Sequence, residues 1–353
     1  MMGAWYRTAL AALAAVWLSG CEDESVITGD FILKNLHRST ESPAFVKASF
    51  RLVTNDEAQS PVPRLTAMNF RFLDDNEPVS TDESQPRVTN PRTAFTFKTL
   101  ILFDVSGSVT ARKDRFFQMV DSGRVLALRV AEQSDVAIAV FDGRDDIEIV
   151  HAFGNNAGIT ESFAQLGIGI GQDASTNLHG ALTHALGRLD EERSRFRSMI
   201  ASADDENLFG GALIAFTDGT HRAGVGGDIP SRDEVLTQVR DSDHAVFMIG
   251  VEGESDPSFI QEAGKDGFAL ASSTDGALLL GPAFDEIFTS FDAISNSYYQ
   301  VVYCSPRRAG RSLFRLEIND ETGRQGSLEF EYTAGDFSGG CLREIDVRYP
   351  EGG

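Results

Sequence analysis

Three short stretches of this 353-residue chain place oxygen-bearing side chains at spacings that could do chemistry. The first, Asp104-Val105-Ser106-Gly107-Ser108, follows the apolar run Leu100-Ile101-Leu102-Phe103. Residues at alternate positions beyond a strand end can turn their oxygens to one side, and Gly107 permits a tight turn between them. The second, Asp173-Ala174-Ser175-Thr176-Asn177, comes just before a helical pattern, and the third, Thr217-Asp218-Gly219-Thr220, ends another apolar run. Hydroxyls and carboxylates are hard donors, suited to Mg²⁺, Mn²⁺ or Ca²⁺ and poorly suited to thiophilic metals. The candidate ligands are Asp104, Ser106, Ser108, Thr176 and Asp218. Two carboxylates just balance a divalent ion; if both stay mainly in its outer shell, the ion remains electrophilic toward an incoming carboxylate. The competing structural account has Asp104 capping the following helix while the hydroxyls bond local backbone.

These stretches can meet only if the elements before them end on one edge. Over 98–297 apolar strand patterns alternate with helical ones, the signature of a mostly parallel sheet covered on both faces. Strands are expected over 100–103, 136–141, 147–153, 213–217, 245–251 and 268–271, and helices over 112–132, 177–199, 231–241, 257–265 and 284–294. Parallel strands point their carboxyl ends the same way, so the loops beyond them can converge on one crevice. The flanks read differently. Residues 31–97 show short alternating runs such as 45–53 and 68–73, and alternation returns from 298 onward in 299–304, 313–318 and 327–332. The simplest arrangement has both flanks meeting in one small β-sandwich with the α/β unit inserted between them. Separate β-modules are the alternative. The resulting segments are 1–20, 21–97, 98–297 and 298–353.

The ordered set D-x-S-x-S, S-T-N-L-x-G-A-L and F-T-D-G resembles the von Willebrand factor type A family with an intact metal-ion-dependent adhesion site. The resemblance covers 98–297 and all three stretches. It implies a Rossmann-like α/β fold in which Ser106 and Ser108 ligate the ion directly, Thr176 directly or through water, and Asp104 and Asp218 through water or as outer acceptors. It also implies a protein or peptide partner whose Asp or Glu carboxylate completes the coordination.

The N-terminus has its own character. Residues 1–20 carry one Arg, an apolar stretch too short to span a bilayer comfortably, and then small residues, as export signals do. The end, Leu18-Ser19-Gly20-Cys21, resembles the lipobox of bacterial lipoproteins, which implies a lipidated Cys21 and anchorage in the cell envelope, at the outer membrane or the periplasmic face of the inner membrane. An ordinary cleaved signal followed by a coincidental Cys is the alternative. Of three cysteines, lipidation would leave Cys304 and Cys341, an even pair in an exported protein and so an expected disulfide, with two buried free thiols as the alternative.

With 31 basic and 53 acidic side chains the net charge is −22, a surface that repels phosphate backbones, and no cluster of Lys or Arg with interleaved aromatics appears; nucleic acid is not an expected partner. His179 and His221 follow the second and third stretches and could serve metal-assisted hydrolysis, His221 as general base, although a hydroxyl-rich site lacks the strong protein ligands of catalytic zinc. The expected function is non-catalytic: a lipid-anchored protein that captures a ligand carboxylate through a divalent cation. A structural subunit of an envelope assembly and a metal-dependent hydrolase are the alternatives.

Overall fold

The computed structural model describes residues 24–89, 95–154, 156–166, 173–200, 208–223, 229–251, 256–264, 269–270, 280–335, 337–339, 341 and 345. The signal-like segment, Cys21, the Gly167–Gly171 run and Asp204-Asp205 lie outside the described residues.

Walking along the chain, the N-terminal flank supplies β1 (Glu24–Thr28), β2 (Phe31–Glu41), β3 (Phe45–Thr54), β4 (Phe70–Asp74), β5 (Glu77–Pro78), the four-residue α1 (Thr81–Ser84) and β6 (Arg87–Thr89). Then come β7 (Phe95–Asp104), α2 (Gly107–Thr110), α3 (Lys113–Val130), β8 (Asp135–Phe141), β9 (Glu148–His151), α4 (Ile159–Leu166), α5 (Leu178–Ile200), β10 (Leu208–Thr217), α6 (Arg232–Asp241), β11 (Ala245–Gly250), α7 (Pro257–Ala263), β12 (Ala269–Leu270) and α8 (Leu280–Ser295). The C-terminal flank adds β13 (Tyr298–Cys304), β14 (Arg311–Asn319) and β15 (Gln325–Thr333).

The middle elements build one six-stranded sheet in the order β12-β11-β10-β7-β8-β9. Every pairing is parallel except that of β8 with β9. The chain steps from β7 outward to β8 and β9, then returns to the other side of β7 with β10 and continues outward to β11 and β12. The order therefore reverses between β7 and β10, and the crevice of an open α/β sheet lies beyond the carboxyl ends of the strands at such a reversal. Alternation along β7 fills both faces: Ile101 and Phe103 pack with α3 and α8 residues such as Leu126 and Phe291, and Leu100 and Leu102 pack with Leu182 and Leu186 of α5 and with Val235 of α6.

The flanks close on each other. One sheet runs β1-β2-β3-β13-β6 and the other β15-β14-β4-β5, so each mixes strands from both ends of the chain. Between them lies a core of Phe31, Phe50, Phe72, Tyr299, Tyr303, Phe314 and Leu316. This is the mixed α/β fold with β-rich flanks expected from the patterning.

Several elements differ in detail. The run 45–53 alternates in sequence, yet all ten residues of β3 are buried, polar Lys47, Ser49 and Arg51 included. The strand expected to start at Met68 starts at Phe70; Ala67–Asn69 form a single 3₁₀ turn, held by Asn69 Oδ1 accepting from Thr66 N at 2.8 Å, with Met68 94% exposed. Helix α4 was not anticipated. Cys304 and Cys341 are disulfide-bonded, with Cα atoms 5.9 Å apart. Cys341 lies beyond β15, so the bridge ties the end of β13 to the segment that follows β15. Among the described residues no helix is long and apolar enough to cross a membrane.

Candidate metal centre

The carboxyl end of β7 delivers Asp104 and that of β10 delivers Asp218, on neighbouring strands paired residue for residue up to Phe103 and Phe216. Both carboxylates have no solvent-accessible surface. Asp104 Oδ1 accepts from Ser106 N at 2.9 Å and its Oδ2 accepts from Thr217 Oγ1 at 2.8 Å. Asp218 Oδ2 accepts from Ser108 Oγ at 2.7 Å, and its Oδ1 accepts from Thr220 N at 2.9 Å and Thr220 Oγ1 at 2.6 Å. Ser106 and Ser108 Oγ lie 3.3 Å apart. Asp104, Ser106, Ser108 and Asp218 thus form one connected cluster across two strand ends. Ser106 is fully buried and Ser108 is half-buried at the rim.

Thr176 is tied by its backbone to the loop that follows Asp218. Its N donates to Arg222 O at 3.1 Å and its O accepts from Arg222 N at 2.9 Å, an isolated antiparallel bridge to the chain four residues past Asp218. Beside it, Gly107 N donates to Ala174 O at 3.1 Å. A Cβ at Gly107 would stand 3.0 Å from both Ala174 Cβ and Ala174 O, so glycine serves close approach of the first and second loops as much as the turn. Thr176 is 3% exposed.

The electrostatics follow from this packing. Burial, reinforced by the charge of Asp218, pushes the Asp104 carboxyl up to about 7 against the pull of its hydrogen bonds to Ser106 and Thr217. The side-chain and backbone donors bonded to both carboxylates are neutral, so these partners leave the charge of two buried acids uncompensated. A divalent cation is the natural complement of such a pair, and neutral hydroxyls beside it fit hard-cation coordination. Both Asp104 oxygens already accept from protein donors, which suits contact with an ion through water. Among the described residues no group of three or more His, Cys, Asp or Glu could form an acidic or thiolate cage, so any cation here would depend on the hydroxyls.

The two histidines form a stacked pair of their own. His179 and His221 stack with ring centroids 3.8 Å apart and 5° between planes, and His179 also meets Phe259. His179 Nδ1 bonds Pro230 O at 3.0 Å, and His221 Nδ1 accepts from His179 N at 3.4 Å. Burial lowers both, and the neighbouring ring helps lower His221 to about 4. Thr217 bridges Asp104 to Gly219 N (3.0 Å), a support that spacing along the chain does not single out. The signal for Thr217 was its hydroxyl at the end of an otherwise apolar strand.

No family model and no curated protein matches the chain. Among solved structures it is similar to the manganese-loaded TRAP protein of Plasmodium vivax, with 12% identity over 72% of this chain and 99% of that one and a TM-score of 0.42. It is similar also to a von Willebrand factor type A protein of Catenulispora acidiphila, with 11% identity over 87% and 73% and a TM-score of 0.40. The PilB minor pilin of Streptococcus sanguinis is a third, with 10% identity over 75% and 85% and a TM-score of 0.39.

Proposed function

We propose that the chain is a cell-envelope lipoprotein, anchored through Cys21, that binds a carboxylate of a protein ligand through one divalent cation, Mg²⁺ or its congeners Mn²⁺ and Ca²⁺, and catalyses no reaction. Ser106, Ser108 and Thr176 would hold the ion, with Asp104 and Asp218 acting through water. A bound cation supplies an electrophilic position for the ligand's Asp or Glu. The observation that carries this reading is the pair of solvent-inaccessible carboxylates, Asp104 and Asp218, bonded by neutral donors and linked by two serine hydroxyls at the sheet's reversal point. The hydrolase alternative is disfavoured by His221, whose Nδ1 is engaged by backbone and whose ring is stacked on His179.

The test is a Mn²⁺ titration of the full chain followed by electron paramagnetic resonance, with Asp104→Ala and Ser108→Ala beside the wild type. One saturable site lost in both variants supports the reading. Capture of envelope proteins should then require Mn²⁺ or Mg²⁺ and vanish in EDTA. Stoichiometric binding unchanged by either substitution refutes the assignment of the site.

A further inference from the structure

Thr176 is the candidate ligand that comes from the longest connection, and something must fix where its hydroxyl points. β8 ends at Phe141, and the next residue, Asp142, is fully buried. Its carboxylate is held by Arg144, whose N and Nε donate to Oδ1 at 3.0 and 2.9 Å while a second guanidinium nitrogen reaches Glu148 at 3.1 Å. Asp142 Oδ2 accepts from Asp173 N at 3.2 Å, and the Asp142 carbonyl accepts from Asn177 N at 2.8 Å. One residue therefore grips the 173–177 loop on both sides of Thr176.

The neighbouring contacts tighten that grip. Asn177 Nδ2 donates to Arg144 O at 3.2 Å and Asn177 Oδ1 accepts from Gly180 N at 3.1 Å in the first turn of α5. Asp173 Oδ1 accepts from Ser175 N and Ser175 Oγ, both at 2.8 Å. A Cβ at Gly143 would come within 1.7 Å of Ser175 Oγ, so the loop lies flush against the backbone of residue 143. On the far side, Gly107 and Arg222 hold Ala174 and Thr176 by backbone bonds.

The structure assigns to Asp142 the role of positioning residue for the metal centre: by clamping the 173–177 loop at Asp173 and Asn177 it aims the Thr176 hydroxyl at the ion. This rests on the metal reading above. Groups that orient a ligand typically cost about 10–100-fold in metal affinity when removed. Asp142→Ala removes the bond to Asp173 and leaves the carbonyl bond to Asn177, so a loss of about tenfold is expected. Asp142→Asn has one acceptor oxygen, and its NH2 must face either Arg144 or Asp173 N, both donors, so it should recover only part of that loss.

The experiment is a Mn²⁺ titration of the full chain as wild type, Thr176→Ala, Asp142→Ala, Asp142→Asn and the double variant Thr176→Ala/Asp142→Ala. If Asp142 acts through Thr176, the double variant binds no more weakly than Thr176→Ala alone, because residues acting on one interaction are not additive. Gly143→Ala, which presses on the same loop through Ser175, keeps the test available should Asp142→Ala fail to fold, and it too should add nothing to Thr176→Ala. Additive losses, or wild-type affinity in Asp142→Ala or Gly143→Ala, overturn the assignment while leaving the metal site standing. A wild type that binds no manganese, or a Thr176→Ala variant with unchanged affinity, overturns the underlying metal reading and this assignment with it.

Discussion

If the proposed cation binds beside Asp104, the raised carboxyl should make cation affinity depend on pH. Its value of about 7, against an ordinary 3.8, arises from burial and the charge of Asp218. The folded, metal-free chain therefore holds a proton on Asp104 below about pH 7, and a cation must displace it. Well below pH 7 each further unit weakens binding about tenfold, or about 1.4 kcal/mol, and lowering the pH from 7, where half the groups are already deprotonated, to 5 weakens it about 50-fold. Above about pH 7.5 the affinity levels off. Linkage gives the matching stability term. Between the unfolded and folded values the folded state binds more protons, so without metal this group's contribution falls as pH rises from about 4 through 7, and saturating Mg²⁺ offsets the loss. Isothermal titration with Mn²⁺ from pH 5 to 8 at fixed ionic strength, in two buffers of different ionisation enthalpy, reads both affinity and protons released. About one proton per ion is expected near pH 5.5 and almost none at pH 8, while Asp104→Asn should bind weakly with a flat profile. A wild-type affinity constant within a factor of two from pH 5 to 7.5 would refute the coupling.

Other consequences are open to simpler measurements. Ser108→Ala removes a hydroxyl bonded to Asp218 at 2.7 Å, and should lower Mn²⁺ affinity at least tenfold while changing the urea stability measured in EDTA by about 1 kcal/mol. Reducing the Cys304–Cys341 bridge, which closes a separation of 37 residues, should cost about 4 kcal/mol on the chain-entropy estimate, read as a fall in the urea midpoint; an unchanged midpoint would show that the C-terminal segment is held without it. The unfolded chain takes up a proton at His221 between about pH 6.5 and 4 that the folded chain refuses, so stability is lost as pH falls through that window. His221→Phe should flatten the acid side of the profile, and a parallel loss in both proteins would count against the stacked neutral pair.

The architecture was readable wherever burial and periodicity agree. Leu213 to Phe216, Ala245 to Ile249 and Val136 to Phe141 are apolar because both faces of the sheet are covered, and such runs announce a parallel sheet. The expectation of a strand over 213–217 stops short of the observed start at Leu208, because the glycines Gly210-Gly211 interrupt the apolar run. The strand continues there because a Cβ at Gly211 would meet His244 Nδ1 at 2.2 Å, so the glycine makes room for a ring. In α4, Ile159, Phe163 and Leu166 stand at i, i+4 and i+7, a helical signal overlooked beside a glycine-rich stretch. β3 misled because the polar members of an alternating strand normally face water, whereas Lys47, with Glu41 within 2.5 Å, and Arg51, over the Tyr298 ring, are covered. The candidate site stood out because acids and hydroxyls at strand ends break an apolar pattern abruptly. The supports of that site, Thr217 and Asp142, did not stand out, since their roles lie in hydrogen bonds across more than thirty residues of chain, and one-dimensional spacing carries no record of those.

A cation-dependent site also answers a difficulty posed by the whole molecule. At a net charge of −22, a ligand presenting Asp or Glu is repelled over roughly a Debye length, about 8 Å at physiological ionic strength. A lysine or arginine in the crevice could attract that carboxylate, but it would also pair with Asp104 and Asp218 and spend its charge on them. Neutral hydroxyls avoid this. On the proposed reading, Ser106, Ser108 and Thr176 would contribute lone pairs without charge, and the two buried acids would offset the charge of a divalent ion, leaving it attractive to an incoming carboxylate. Replacing one of these hydroxyls by a carboxylate should therefore strengthen cation binding and weaken ligand capture together, a divergence that a purely structural cluster of serines and aspartates has no reason to produce.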